Sequence, residues 1–349
     1  MTLSLLASGI DSLYWSVALG IADERFAWFK AARDGAAERT EVVELGGYSL
    51  TVEPHGAGKY PVLLRCAEFS VQLTDSAHIP TAFVQLRSEF IHQVGPRQAF
   101  ELSREIVEAL CQRRGAPARV SRLDVYADFG GWTLTDDDRR GLVTAAKLFP
   151  VLRAGSDEYE TIRVGTSPMV LRLYRKDIEL RIRGGFADRF WYGYEGPVVR
   201  VEAQASSQKL RALGIASVDD ALGSYGAVWT YATGEFCVLR TVGPGPRGNW
   251  PVTDAWLSVW GVGALMFPQS DLVPLVKAER DEQRVARGLL GFLASWSAFE
   301  GVFEAGAALE RLRERYPRLV IGERKSFAAE VVRRHARLSR AVRERNEVG

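Results

Sequence analysis

Tyr174 stands between two cations, Arg172 and Lys176, in the stretch 170–180, VLRLYRKDIEL. Read as a strand, this stretch turns Leu171 and Leu173 toward a core and Arg172, Tyr174 and Lys176 to the opposite face. Core packing does not ask for a tyrosine between two cations on a polar sheet face. A neutral phenol is a weak nucleophile and needs activation. Lys176, about 6.5–7 Å further along an ideal strand, would lower the phenol's pKa from its usual value of about 10 or hold the attacked phosphate. Arg172, on the other side, suits bidentate phosphate contact. The combination points to phosphoryl transfer with Tyr174 as nucleophile; the plain alternative is a half-buried sheet tyrosine.

Two further stretches share the alternation. In 121–130, SRLDVYADFG, Arg122, Asp124, Tyr126 and Asp128 lie opposite Leu123, Val125, Ala127 and Phe129. In 198–203, VVRVEA, Arg200 and Glu202 lie opposite Val199, Val201 and Ala203, and Gln204 follows on the polar side. Asp124 and Asp128 are about 13 Å apart on an ideal strand, too far to share one ion. Asp124 and Glu202, on neighbouring strands about 4.8 Å apart, make the better pair, and hard carboxylate oxygens suit Mg²⁺ or Mn²⁺. The candidate metal set is therefore Asp124, Glu202 and, less favourably, Asp128. Cross-strand ion pairs of Asp124 with Arg122 and Glu202 with Arg200 are an equally good reading of the same residues. Tyr126, between the two aspartates, is the rival nucleophile, but no cation flanks it as Arg172 and Lys176 flank Tyr174. Arg122, Arg175 and Arg200 are candidate DNA contacts, and Trp191 and Tyr192 in the loop FWYGYEG are candidates for stacking on unpaired bases.

Other chemistries find little support. The four histidines form no H-x-H pair, and GPGPRGN lacks the lysine and following helix of a phosphate-binding loop. Cys66, Cys111 and Cys237 are odd in number and far apart, which argues against a disulfide framework or a zinc site and for a reducing, cytoplasmic setting. The apolar opening segment carries Asp11 in its middle and no basic start, so it reads as a buried strand rather than a secretion signal. A net charge of +2 is too small to argue nucleic-acid binding, but residues 310–345 hold twelve lysines and arginines against no more than six acids.

The elements that must position these residues form a duplication. Asp11 in GIDSLYWSV corresponds to Asp124, and Arg87 and Glu89 in FVQLRSEF correspond to Arg200 and Glu202, each pair 113 residues apart. Helices are expected at 22–39, 96–113, 135–148 and 206–213. The expected fold is α+β, with two pseudo-symmetric antiparallel-sheet units, helices on one face, and a C-terminal helical domain. Its units are 1–118, degenerate and structural or DNA-contacting; 119–241, catalytic; and 252–349, basic and helical, beyond the proline- and glycine-rich segment 242–251. Helical periodicity is expected at 271–296, 303–316 and 326–345.

Taken together, SRLDVYADF, the Gly165–Thr166–Ser167 turn into VLRLYRKDIE, and VVRVE resemble the Rep_trans family of rolling-circle replication initiators of plasmids and related relaxases. The likeness spans about residues 5–240. It implies a saddle-like two-fold sheet and a metal-dependent nickase. Tyr174, with Lys176 and Glu179 completing its motif, would become joined to a 5′ phosphate, and Asp124 and Glu202 would hold Mg²⁺ or Mn²⁺. The partners expected are origin DNA, single-stranded or supercoiled, with a helicase and a second copy of the chain as further candidates. A catalytically inactive origin- or operator-binding protein is the alternative.

Overall fold

A computed structural model describes residues 3–36, 39–147, 152–153, 159–183, 191, 193–268, 290, 293–294, 297–298 and 300–315. A long strand, β1 (Ser4–Val17), leads through α1 (Asp23–Gly35) to a meander of β2 (Val42–Leu45), β3 (Tyr48–Val52), β4 (Val62–Arg65), β5 (Phe69–Leu73) and β6 (Ala82–Leu86), then to α2 (Ser88–Val94) and α3 (Pro96–Cys111). The chain then makes a second pass. It runs through β7 (Arg119–Gly130), α4 (Asp136–Gly141), β8 (Leu142–Thr144), β9 (Leu152–Arg153), β10 (Tyr159–Val164) and β11 (Met169–Arg175). After these come α5 (Lys176–Arg183), β12 (Val198–Ser206), α6 (Ser207–Ala212) and α7 (Val218–Thr230), then β13 (Cys237–Leu239), α8 (Asp254–Met266) and, further on, α9 (Ala305–Arg315).

Eleven strands form one sheet in the order β2-β3-β4-β5-β6-β1-β7-β12-β11-β10-β9, and every pairing in it is antiparallel. The fold is thus α+β on a large antiparallel sheet. The central pair is β1 with β7, and from it each half runs outward through the last strand of its own meander. The apolar face carries Leu13 and Trp15 from β1, Leu123, Val125 and Phe129 from β7, Leu171 and Leu173 from β11, and Val199 and Val201 from β12. Helices supply the other half of the core: Phe100 and Val107 from α3, Leu210 from α6, and Val228 and Trp229 from α7. Trp15 meets Phe100 edge-on at 5.3 Å and donates its indole N–H to Ser103 Oγ. The polar face is not bare, however. The start of α5 brings Lys176 to it, and α2 brings His92.

Several expectations change. The strand around Tyr174 ends at Arg175, and Lys176 opens a helix with Asp177 and Glu179 in its first turn. The strand read at 83–90 ends at Leu86, so Arg87 caps α2 and Glu89 lies inside it. The 113-residue spacing joins the ends of β1 and β7 and the starts of α1 and α4, but Arg87 and Glu89 fall one element later than Arg200 and Glu202. The helix expected over 135–148 starts with a Thr135–Asp138 capping box and stops at Gly141, because Leu142–Thr144 pairs with β13.

The chain divides into two units, Met1–Leu275 and Val276–Gly349, rather than at 252. Within the first unit, α8 docks through tryptophans. Trp256 and Trp260 both donate to the carbonyl of Thr233, in a single π-helical turn (Tyr231–Phe236), and Trp229 donates to Val259 O. Residues 1–118 and 119–241 share one continuous sheet, so they are halves of one body. In the second unit, α9 covers most of the helix expected over 303–316. The helix expected over 326–345 lies outside the described residues, as does nearly all of that expected over 271–296.

Candidate active site

Antiparallel register sets the polar face in rows. Thr161, Tyr174, Arg200 and Asp128 stand opposite one another across β10, β11, β12 and β7; the next row is Arg163, Arg172, Glu202 and Tyr126. Beyond it, Gln204 faces Asp124, which faces Ser12 of β1. β1 contributes one more group through a bulge. Between Ile10, opposite Val125, and Ser12, opposite Asp124, Asp11 is the extra residue. A bulge re-aims its extra side chain, and Asp11 here reaches Arg200 Nη1 at 2.6 Å and His92 Nε2 at 3.6 Å.

Tyr174 lies at a pocket of about 560 Å³ that is also lined by Asp11, Arg122, Arg172, Lys176, Glu179 and Glu202. Its hydroxyl donates to Glu202 Oε2 at 2.8 Å. Burial, with the nearby carboxylates of Glu202 and Asp11, pushes the phenol well above its ordinary value, although Arg200 pulls the other way. The expected lowering by Lys176 is therefore not what the surroundings produce. Lys176 Nζ sits 5.8 Å from the centre of the Tyr174 ring and pairs with Glu179 Oε2 at 2.7 Å. At neutral pH Tyr174 is a phenol hydrogen-bonded to Glu202, an arrangement in which the carboxylate can accept the phenolic proton.

Each carboxylate proposed as a metal ligand is engaged by a guanidinium. Arg122 grips both oxygens of Asp124, through Nε at 2.8 Å and through Nη2. Arg172 donates from Nη1 to Glu202 Oε1 at 2.5 Å and from Nη2 to Gln204 Oε1 at 2.6 Å. Arg200 donates to Asp128 from Nε at 2.6 Å and Nη2 at 2.9 Å, while Trp191 Nε1 donates to Asp128 Oδ2 at 3.1 Å. Among the described residues, no group of three or more histidines, cysteines and carboxylates could hold a metal ion. The donor set expected for Mg²⁺ or Mn²⁺ is already neutralised by arginine and does not fit the ion as arranged. Of the expected ion pairs, Arg122 with Asp124 is present, within β7 rather than across strands, while Glu202 pairs with Arg172 and Arg200 pairs instead with Asp128. Burial, against the pull of Arg122, moves the Asp124 carboxyl up to about 6.

The structure thus brings together Tyr174, Arg172, Lys176, Glu202 and Arg122 at one pocket and sets Asp124 behind it. Arg200, at 4 % side-chain exposure, and Asp128, fully buried, lie too deep for Arg200 to touch DNA or for Asp128 to bind an ion from solvent. Trp191 is buried on Asp128, so it is a strut rather than a stacking platform. Tyr192 lies outside the described residues. Arg175 is tied to Asp177 at 2.9 and 2.8 Å, and Asp177 also accepts from Val198 N, which pins the start of α5 to β12. Tyr126, the rival nucleophile of the sequence reading, is buried, stacked on His92 at 5.2 Å and covered by Arg200 at 3.9 Å, whereas Tyr174 lines the pocket. Two contributors were not expected at this site, although the sequence pairs Asp11 with Asp124. Asp11 and His92 reach this site only because β1 pairs with β7 across a bulge and α2 folds back, and no local pattern signals either event.

No family model matches the chain, and no curated protein matches it. Among solved structures, a rolling circle replication initiator protein from Geobacillus stearothermophilus aligns at 15% identity over 77% of this chain and 100% of that chain, with a TM-score of 0.44. At that identity and score the alignment assigns no role to any residue here. No helix among the described residues is long and apolar enough to cross a membrane.

Proposed function

We propose that the chain nicks a DNA strand by attack of Tyr174 on a backbone phosphate, as an initiator of rolling-circle type. One observation carries the reading: the Tyr174 hydroxyl donates to Glu202 at 2.8 Å inside a pocket lined by Arg122, Arg172 and Lys176. A nucleophile, a proton acceptor and cations for a phosphate meet there, and pockets of this volume suit a small ligand such as one nucleotide unit. In the step, the bond from Tyr174 Oη to phosphorus forms and the phosphorus–O3′ bond breaks. The phenolic proton passes to Glu202, and the departing 3′ oxygen takes a proton from water. The 5′ phosphate stays on the tyrosine and the 3′-hydroxyl is free to prime synthesis. The resemblance of the three motifs to Rep_trans initiators supports DNA as the substrate. In the same reading the two halves descend from a duplication, the first now lending Asp11 and His92 to a centre built on the second.

The test is covalent capture. The full chain is incubated with single-stranded oligonucleotides of random sequence labelled at the 3′ end, and denaturing electrophoresis shows whether label moves with protein. Tyr174→Phe is expected to bind DNA and form no adduct, and Tyr126→Phe to form one. An adduct that persists in Tyr174→Phe overturns the assignment. A wild type that forms none under any ionic condition overturns the activity and leaves a DNA-binding protein.

A further inference from the structure

We infer that this transfer needs no divalent cation, the charge on the attacked phosphate being met by the guanidinium groups of Arg172 and Arg122. The inference rests on the nicking reading above and concerns how that site works. Three observations lead to it. The carboxylates that would hold an ion each lie against an arginine: Asp124 on Arg122, Glu202 on Arg172 and Asp128 on Arg200. An ion entering between Asp124 and Glu202 would have to displace two guanidinium groups from hydrogen-bonded contact. The two arginines are also presented rather than hidden. Arg172 and Arg122 keep 25% and 29% side-chain exposure and line the Tyr174 pocket, whereas Arg200 behind them keeps 4%.

Finally, the anchoring leaves donors over. A guanidinium carries five N–H donors in a planar fork. Arg172 spends one on Glu202 and one on Gln204, and Arg122 spends two on Asp124 while its plane rides 4.9 Å from the Tyr14 ring. Glu202 therefore has a double role, fixing Arg172 through one oxygen and accepting from Tyr174 through the other. Arg163 stands opposite Arg172 in the register and is exposed. Fixed donors aimed at a phosphoryl oxygen stabilise developing charge without reorganisation, which is the work a metal would otherwise do.

The experiment compares adduct formation by the full chain in EDTA, in Mg²⁺ and in Mn²⁺, with the same 3′-labelled random-sequence oligonucleotides. Undiminished adduct in EDTA is expected. Arg172→Lys retains charge but loses the planar fork, and a drop of about 100-fold in rate is expected with and without Mg²⁺, with thermal melting confirming that the variant is folded. In a separate measurement, Mn²⁺ alone is followed by its electron paramagnetic resonance signal and is expected to show no stoichiometric site that depends on Glu202. Adduct in Mg²⁺ or Mn²⁺ but not in EDTA, or a bound Mn²⁺ that disappears in Glu202→Gln, overturns the inference while leaving the nicking reading in place. Adduct under none of the three conditions overturns both.

Discussion

Glu202 joins Arg172 and Tyr174 in the pocket, one carboxylate oxygen on the guanidinium and the other on the phenolic hydroxyl. In the proposed mechanism, replacing it with Gln keeps the size and one acceptor but removes the proton acceptor. The rate of adduct formation should fall by about 100- to 10,000-fold, the range typical for loss of a general base, with DNA affinity little changed. A rate near that of wild type would show that the proton leaves by another route. Asp128 offers a contrast at the same scale. It is buried against Arg200 and Trp191, so Asp128→Ala strands a buried guanidinium that, among the described residues, keeps an ion pair with Asp11 alone. Breaking one side of a buried pair costs roughly 3–5 kcal/mol, and denaturant unfolding should show a loss of that order. The sequence set Asp124 and Glu202 ahead of Asp128 by spacing alone. Burial and partner choice, which no single sequence displays, separate them: Asp124 and Asp128 are buried on arginines, whereas Glu202 divides its oxygens between Arg172 and Tyr174.

At the scale of elements, alternation in 121–130, in 170–180 as far as Arg175, and in 198–204 was legible because a strand with one buried face repeats every two residues. The ends of strands were harder. Alternation continues in the letters through Lys176 and through Arg87–Glu89, yet helices begin there, the first pinned by Asp177 to β12 and the second by Phe90 and Ile91 entering the core. The β1 bulge and α2 together create a titrating contact: His92 lies beside Asp11, and burial holds it below its ordinary value. His92 is therefore neutral in the folded state at pH 7. As pH falls through 6.5 the unfolded chain takes up a proton that folded His92 resists, so this residue withdraws stability on acidification. Asp11, lowered because Arg200 and then His92 outweigh its burial, withdraws its own contribution only below the ordinary carboxylate range near 3.8. Melting measured from about pH 7.5 to about pH 5.5 should thus show a steeper loss in wild type than in His92→Gln. Equal slopes would mean that His92 titrates as it does in the unfolded chain.

For the whole molecule, the α+β class and the antiparallel sheet were within reach of the sequence, because alternating strands and helical segments follow one another along it; the order of the strands, with β1 beside β7 at the centre, was not. The boundary near 252 was misread since the proline-rich segment 242–251 looks like a linker. The tryptophans of α8, which carry that helix back onto the first unit, give no sign of their hydrogen-bond partners in the sequence. Residues 316–349 carry nine lysines and arginines against four acids. Deleting them should weaken duplex DNA binding and flatten its dependence on salt, since fewer cationic side chains then displace counterions from the phosphates, while adduct formation on short single strands continues. An unchanged salt slope would place this segment against solvent or a protein partner.

Whether Tyr174 is the group that takes the phosphate is decided most directly by locating the nucleotide on the chain. The adduct formed by wild type with a single-stranded oligonucleotide is digested with nuclease and protease, and the modified peptide is sequenced by tandem mass spectrometry. A nucleotide joined through its 5′ phosphate to Tyr174 is the expected result. Attachment at any other residue, or no modified peptide from a preparation that cleaves DNA, would contradict it.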